Sequence, residues 1–170
     1  MQTTILPGVA VIGGGPAGLM AAEAARAAGC EVDLFEAKGS VGRKFLIAGK
    51  GGLNLTHAEP RPDFERRYAG RRREVAGWLA DFDADALRDW ARGLGVDTFV
   101  GSSGRVFPGD LKAAPLLRAW VRRLREQGVR FHVGHRWHGS RREPTASSNW
   151  EGTRISTAPP GATKHATPIT

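Results

Sequence analysis

Apolar and polar positions follow a regular order over the first forty residues. A β-branched apolar run at residues 9–12 opens into Gly13-Gly14-Gly15-Pro16-Ala17-Gly18, which is typical of a buried strand that enters a tight turn. Alanine-rich, helix-forming sequence follows over residues 16–28, and Gly29 is a suitable C-terminal cap. Residues 31–36 then alternate polar and apolar side chains. The pattern therefore predicts a strand, a glycine turn, a helix and a second strand.

The pattern after residue 36 predicts a loop and then further helices and strands. Residues 39–56 carry glycines at 39, 42, 49, 51 and 52, so we expect a long loop built largely from exposed backbone. The elements predicted beyond it are helices at 71–80, 84–93 and 112–127, a hairpin with strands at 98–100 and 105–107, and a strand at 129–133. Asp83 is the predicted N-cap of the second of these helices.

The composition changes after Gly139. Serine, threonine, proline, alanine and glycine dominate residues 140–170, and such a segment buries too little apolar surface to offset its ordering entropy. We therefore predict a partial α/β domain over residues 1–139, with a parallel sheet and helices in a Rossmann-like arrangement, and a disordered tail over 140–170. The abrupt change itself predicts a frame change or truncation.

Composition and charge narrow the class of protein. The chain has 170 residues, of which 41% are hydrophobic, and no apolar run approaches the roughly 20 residues that span a bilayer. The start lacks a signal-peptide pattern, so we expect a soluble cytoplasmic protein without membrane contact. The net charge is +8, and the arginines cluster at 71–73 and 118–125. The second cluster falls on a helical pattern, where a solvated face is expected, so a nucleic-acid partner is disfavoured.

The glycine turn carries the first candidate chemistry. In a strand–turn–helix context, Gly13 permits the sharp turn, Gly15 lets a pyrophosphate approach the backbone, and Gly18 lets the helix lie close to the sheet. The helix start then favours phosphate charge. Glu36 lies at the end of the second strand, where a carboxylate can accept hydrogen bonds from ribose hydroxyls. These four residues predict a dinucleotide site.

Two further segments resemble a known family. Residues 42–56, with the sequence GRKFLIAGKGGLNLT, and the Gly-Arg-Val-Phe-Pro run at 104–108 are similar to the bacterial NAD(P)/FAD-dependent oxidoreductases called YhiN/BaiN-like or aminoacetone-oxidase-like flavoproteins. The likeness extends to about Trp137. It implies FAD as cofactor and NAD(P)H as a candidate electron donor. It also implies that the flavin side of the cofactor lies along Gly42, Arg43, Lys44, Gly49, Gly51 and Asn54, with adenine contacts around Trp137.

The resemblance leaves the activity open. A flavin-dependent oxidoreductase that transfers hydride is one reading, a non-catalytic remnant that binds a dinucleotide weakly is a second, and an RNA-associated flavoprotein is a third. A small-molecule substrate is expected, but its identity, the catalytic residues and the oligomeric state are not predicted. Histidines 132, 135 and 138 do not form a predicted zinc site, because in an extended strand His135 points away from the other two and no cysteine or carboxylate cluster completes a ligand set.

We predict that the chain binds FAD more tightly than NAD or NADP, by about tenfold or more, because residues 42–56 resemble a flavin-binding segment and the Glu36 carboxylate repels a 2′-phosphate. Isothermal titration with FAD, NAD and NADP measures the order directly. Tighter binding of NADP would contradict the role given to Glu36.

Overall fold

A computed structural model of the chain describes residues 8–143 and 152–158. The chain divides into two compact units, one formed by Met1–Arg43 with Leu124–Thr170 and the other by Lys44–Arg123. The domain predicted over residues 1–139 therefore spans both. Each unit has its own sheet, and each is described below by itself.

The first unit is built on a parallel sheet in the order β1-β2-β6. Its elements are β1 (Gly8–Ile12), α1 (Pro16–Ala27), β2 (Glu31–Glu36) and β6 (Arg130–Val133). The predicted strand, turn, helix and strand are thus confirmed, and Gly29 takes the left-handed conformation, with a φ of 82°, that a helix cap requires.

One face of this sheet packs against α1. Leu19 and Ala22 of the helix and Val32 and Leu34 of β2 are fully buried. Burial of a leucine side chain contributes roughly 1.5–3 kcal/mol. The alternation predicted for β2 places Asp33 and Phe35 on the opposite face.

The second unit contains a small antiparallel sheet and several helices. The sheet has the order β3-β5-β4, formed by β3 (Thr56–His57), β4 (Thr98–Val100) and β5 (Arg105–Pro108). The helices are α2 (Arg43–Ala48), α3 (Arg61–Arg66), α4 (Arg72–Asp81), α5 (Ala84–Gly93) and α6 (Ala113–Glu126), of which α2 begins and α6 ends just outside the unit. The predicted hairpin is confirmed. So is the N-cap, because the Asp83 carboxylate accepts hydrogen bonds from the N–H groups of Asp85 and Ala86.

The prediction of a loop over residues 39–56 is wrong in part. Helix α2 lies within this segment and is followed by a single 3₁₀ turn at Gly49–Gly51. The reason is tertiary, because Phe45 of α2 packs edge to face against Trp120, with ring centroids 6.5 Å apart, and Trp120 also packs against Trp90. An aromatic partner 75 positions away in sequence gives no local signal.

The tail also differs from the prediction of disorder in two segments. Strands β7 (Arg136–Glu143) and β8 (Gly152–Ala158) pair antiparallel. The β-branched residues Thr153, Ile155 and Thr157 favour extended backbone, and the ladder supplies backbone partners that composition alone does not reveal. Residues 144–151 and 159–170 of the predicted tail lie outside the described part of the chain.

A charged cluster joins β2 to β6 on the sheet face opposite α1. Arg130 forms a two-pronged pair with Asp33, with Nε–Oδ1 at 2.8 Å and Nη2–Oδ2 at 2.7 Å, and it also reaches Glu31 at 3.1 Å. His132 Nε2 lies 2.7 Å from Asp33 Oδ1. The hydrogen bonds from Arg130, helped by His132 and opposed by burial, hold the pKa of Asp33 at about 2.

A carboxyl group with a lowered pKa in the folded chain stabilises the fold above its ordinary pKa and loses that contribution as the pH falls towards the lowered value. Asp33→Asn should therefore reduce the free energy of unfolding at pH 7 by about 1 kcal/mol, a value set by the partial exposure of the pair. The difference from the unsubstituted chain should shrink between pH 3.8 and about 2. Urea unfolding followed by circular dichroism across this pH range measures it. Asp89→Asn, in the exposed pair with Arg92, is the matched control and should have little effect at any pH.

Candidate functional site

The glycine turn between β1 and α1 is tied to the end of β2. Gly13 has a φ of 102°, which only glycine adopts readily, and its N–H donates to the carbonyl oxygen of Phe35 over 2.8 Å. Gly15 is the N-cap of α1, and Pro16 occupies the first helical position. Among the described residues no side chain caps this helix, and its first turn has no acidic residue, so the positive end of its dipole faces the turn.

The glycines of the turn lack side chains for different reasons. A Cβ on Gly18 would lie 1.8 Å from the carbonyl oxygen of Gly13, so any side chain there would push the helix away from the turn. A Cβ on Gly14 would lie 2.5 Å from Val41 Cγ1. A Cβ on Gly15, by contrast, would meet no atom of the described residues within 4 Å. Packing requires Gly14 and Gly18, whereas the space beside Gly15 is open to a ligand.

The Glu36 carboxylate lies against this turn. Its Oε2 accepts the N–H of Gly14 at 2.8 Å, and its Oε1 accepts the N–H of Lys38 at 2.7 Å. A carboxylate offers about four lone-pair positions, so two bonds leave acceptor capacity for hydroxyl donors. The structure thus brings Glu36 and the glycine turn together, and the carboxylate also orders the backbone that would surround a bound ribose.

Gly42 is the third component of this arrangement. Its N–H donates to the carbonyl oxygen of Gly14 over 2.7 Å, and its φ of 70° lies in the left-handed region that favours glycine. Arg43 follows as the first residue of α2 and is exposed, as is Lys44. The family resemblance predicts Gly42 as a site residue. The spacing of the motif did not predict its hydrogen bond to the turn, which only the structure shows.

In the second unit, the predicted residues Gly49, Gly51 and Asn54 occupy different environments. A Cβ on Gly49 would lie 2.5 Å from Ala113 Cβ, so packing accounts for this glycine without any ligand. Gly51 is exposed and faces open space. In the amide orientation that its neighbours favour, Asn54 donates from its side-chain nitrogen to the carbonyl oxygens of Thr56, at 2.8 Å, and Val106, at 3.3 Å. Asn54 therefore orders the chain beside β5.

The segment around Trp137 follows a sharp turn. Gly134, with a φ of 73°, ends β6, and its N–H donates to the carbonyl oxygen of Lys38, while His135 donates its N–H to the carbonyl oxygen of Glu36. Trp137 lies in β7 and is about half exposed. The turn overturns the expectation of one extended strand through the histidines, because the rings of His132 and His135 come within 5.9 Å of each other.

Sequence reasoning missed the ring stack beside Glu36. Phe35 stacks on His132 with centroids 4.6 Å apart and an interplanar angle of 16°. The parallel register pairs Phe35 of β2 with His132 of β6. The two residues are about 97 positions apart in the chain. The alternation of β2 was the available signal, since it placed Phe35 on the face away from the helix.

The arginine cluster at 71–73 is largely neutralised by neighbouring carboxylates. Arg71 Nη1 lies 3.1 Å from Glu74 Oε1, and Arg72 Nε lies 3.7 Å from Glu65 Oε2. Nucleic-acid binding depends on uncompensated basic charge along a phosphate backbone. These ion pairs weaken the RNA reading that the net charge suggested.

Comparison with known proteins places the chain in a family. The sequence model described as "HI0933-like protein Rossmann domain" matches residues 7–157. The chain belongs to the HI0933-like family. This confirms the resemblance predicted from residues 42–56 and 104–108. It corrects the expectation that the likeness stops near residue 137, because the match continues to residue 157, within β8.

The chain is similar to part of a curated protein and to several solved structures. It is 32% identical to the 3-dehydro-bile acid delta(4,6)-reductase of Clostridium scindens, over 75% of this chain and 31% of that protein. The chain thus spans about a third of that relative's length. Its fold resembles THI4 of Thermovibrio ammonificans, with a TM-score of 0.55 and 16% identity over 90% of this chain and 47% of that one.

A second structural neighbour is the 3-ketosteroid-delta4-(5alpha)-dehydrogenase of Rhodococcus jostii RHA1. The TM-score is 0.54 and the identity 17%, with 94% of this chain and 44% of that chain covered. At this level of identity both neighbours establish the Rossmann-like fold and nothing about activity. Within the described residues, no helix is long and apolar enough to cross a membrane.

The contrast between two glycines of this HI0933-like domain gives a prediction about stability. Gly18→Ala should lower the free energy of unfolding by about 2 kcal/mol or more, because its Cβ would collide with the carbonyl oxygen of Gly13. Gly15→Ala should change it by less than about 0.5 kcal/mol, because its Cβ enters open space. Urea unfolding of both variants measures the difference. Equal effects would contradict the packing described for the turn.

Proposed function

We propose that this chain is the FAD-binding part of a flavin-dependent oxidoreductase, with the adenosine and pyrophosphate end of FAD held by the first unit. The observation that carries the proposal is the open position at Gly15, set between Gly14 and Gly18, whose lack of side chains is explained by packing. Chain reversal alone does not require a third glycine at position 15. A phosphate group that contacts the backbone there requires a residue without a side chain.

The residues present suit such a ligand. The N–H groups of the first turn of α1, with the uncapped positive end of the helix dipole, would hold the pyrophosphate. Glu36 would accept the ribose hydroxyls with its remaining acceptor capacity, and its charge disfavours a 2′-phosphate. Arg43 is exposed and would offset phosphate charge.

The flavin half of the cofactor is assigned by family resemblance. The resemblance supports flavin contacts along Gly42, Arg43, Lys44, Gly49, Gly51 and Asn54. It also supports adenine contacts around Trp137. Open space beside Gly51 supports a flavin contact there. The packing of Gly49 against Ala113, by contrast, explains that glycine without a cofactor. FAD supplies the ring that exchanges hydride when it is bound, and the protein supplies binding, orientation and exclusion of water.

We infer further that NAD(P)H is the electron donor and that an organic small molecule is the substrate. The similar protein from Clostridium scindens is a reductase by name, which supports a reaction in which a reduced flavin delivers hydride. The other reading is a chain that binds the dinucleotide weakly and does not turn over. A flavin-reduction assay with NADPH separates the two, because turnover of an ordinary enzyme is on the order of 10 per second.

Gly15→Val tests the binding site. The branched side chain would occupy the space proposed for the pyrophosphate, so FAD affinity should fall by about a hundredfold or more, while the extended backbone of residue 15 tolerates valine. Gly8→Val is the matched control, since Gly8 begins β1 at the end away from the turn and its Cβ also meets no described atom within 4 Å. FAD affinity is measured by titration and folding by thermal unfolding. Unchanged FAD affinity in Gly15→Val, or an equal loss in Gly8→Val, would contradict the proposed position of the pyrophosphate.

A further inference from the structure

One face of the β3-β5-β4 sheet in the second unit is apolar and open. Phe99 of β4 and Phe107 of β5 are opposite each other in the antiparallel register, and their ring centroids lie 5.8 Å apart. Phe99 is 42% exposed, and Leu111, just after β5, is 45% exposed. Phe99, Phe107 and Leu111 are called the aromatic face below. Contiguous exposed apolar side chains of this kind mark contact surfaces more often than isolated ones do.

Two glycines keep the ring of Phe107 accessible. A Cβ on Gly101 would lie 3.1 Å from Phe107 Cε2, and a Cβ on Gly52 would lie 3.8 Å from both Phe107 Cε1 and Leu111 Cδ2. Gly52 has a φ of 110°, a conformation that favours glycine. Side chains at these two positions would cover the ring, so their absence leaves its edges free.

Leu111 is held in a strained backbone conformation. Its φ is 62°, in the left-handed region that a bulky residue adopts only at a cost in free energy. Its N–H donates to the carbonyl oxygen of Pro108, and its own carbonyl oxygen accepts the N–H of Leu53, both over 2.9 Å. Glycine would adopt this conformation without strain. Backbone strain of this kind at a leucine points to a use for its side chain.

Arg105 supplies a positive charge beside the aromatic face. It lies two positions before Phe107 in β5, so the two side chains share one face of the strand. It is exposed, and in the described part of the chain its guanidinium has no ion-pair partner. A guanidinium presents a planar fork of N–H donors that matches a carboxylate. Apolar rings next to an unpaired guanidinium are complementary to a flat apolar molecule with an acidic group.

We propose that the aromatic face binds the ring system of a small-molecule substrate that carries an acidic group, and that Arg105 binds the acid. The inference rests on the proposed function, because Gly52 lies within residues 42–56, the segment that the family resemblance assigns to the flavin side. A second copy of the chain, or a segment of this chain laid over the rings, is the competing occupant.

The test uses 2-naphthoate, a fused-ring carboxylate, and 2-naphthylmethanol, its uncharged counterpart. Titration of the full chain, followed by amide NMR shifts, should show saturable changes at Gly52, Gly101 and Phe107. A ligand of this size on an open face should have a dissociation constant on the order of 1 mM.

Substitutions separate the two parts of the binding surface. Arg105→Gln should weaken naphthoate binding by about tenfold and leave naphthylmethanol unchanged, because only the charged contact is lost. Phe99→Ala should weaken both probes. The matched controls are Arg73→Gln, an exposed arginine of α4, and Phe82→Ala, a phenylalanine that is 39% exposed elsewhere in the unit. Neither control should change the affinity for either probe.

Leu111→Gly distinguishes binding from folding. Relief of the left-handed strain should leave the melting temperature unchanged or raise it, while both probes bind more weakly. A purely structural role would lower the melting temperature and leave the probe affinities unchanged, and that result would overturn the use proposed for this side chain.

Four results would overturn the inference: no shifts at the aromatic face, equal effects of the control variants, concentration-dependent shifts without a probe, or nuclear Overhauser contacts from another segment of the chain to Phe99. A parallel FAD titration tells the two proposals apart. Naphthoate binding at the aromatic face without FAD binding would support this site and overturn the proposed function. FAD binding without naphthoate binding would overturn this inference alone.

Discussion

Gly14 donates its backbone N–H to the Glu36 carboxylate over 2.8 Å, and this bond joins the turn after β1 to the end of β2. The other carboxylate oxygen accepts the N–H of Lys38, and the carbonyl oxygen of Gly14 accepts the N–H of Gly42. The backbone around the turn is therefore ordered by one acidic side chain together with main-chain bonds. A dinucleotide would meet donors and acceptors that are already in place, which reduces the entropy lost on binding.

The glycines of this chain fall into those that packing requires and those that face open space, and only the second kind leaves room for a ligand. Gly18 and Gly49 lack side chains because neighbouring atoms fill the space, whereas Gly15 and Gly51 face open space. A glycine-rich motif does not show which of its members packing requires and which a ligand requires. A ligand can approach the backbone only at an open position, whereas a closed position contributes to stability.

The fold and the function are supported to different extents. Solved structures at 16% and 17% identity share the Rossmann-like arrangement, and a fold of this kind hosts many chemistries. The match to the HI0933-like family, over residues 7–157, is more specific than the shared fold. Two local features of this chain are the Phe35 and His132 ring stack of the first unit and the aromatic face of the second.

The sequence by itself determined the β1–α1–β2 unit and the glycine turn within it, because these depend on residue spacing within about thirty positions. The motifs at residues 42–56 and 104–108 indicated the family. The sequence also predicted the β4–β5 hairpin and the Asp83 cap, both of which are local. Only the tertiary structure decided that α2 forms within the glycine-rich loop, through Phe45 against Trp120, and that residues of the predicted tail form strands. It alone joined Asp33 to Arg130. The physical reason is that such contacts connect residues far apart in the chain, and local propensity and periodicity carry no information about which distant partner will be met.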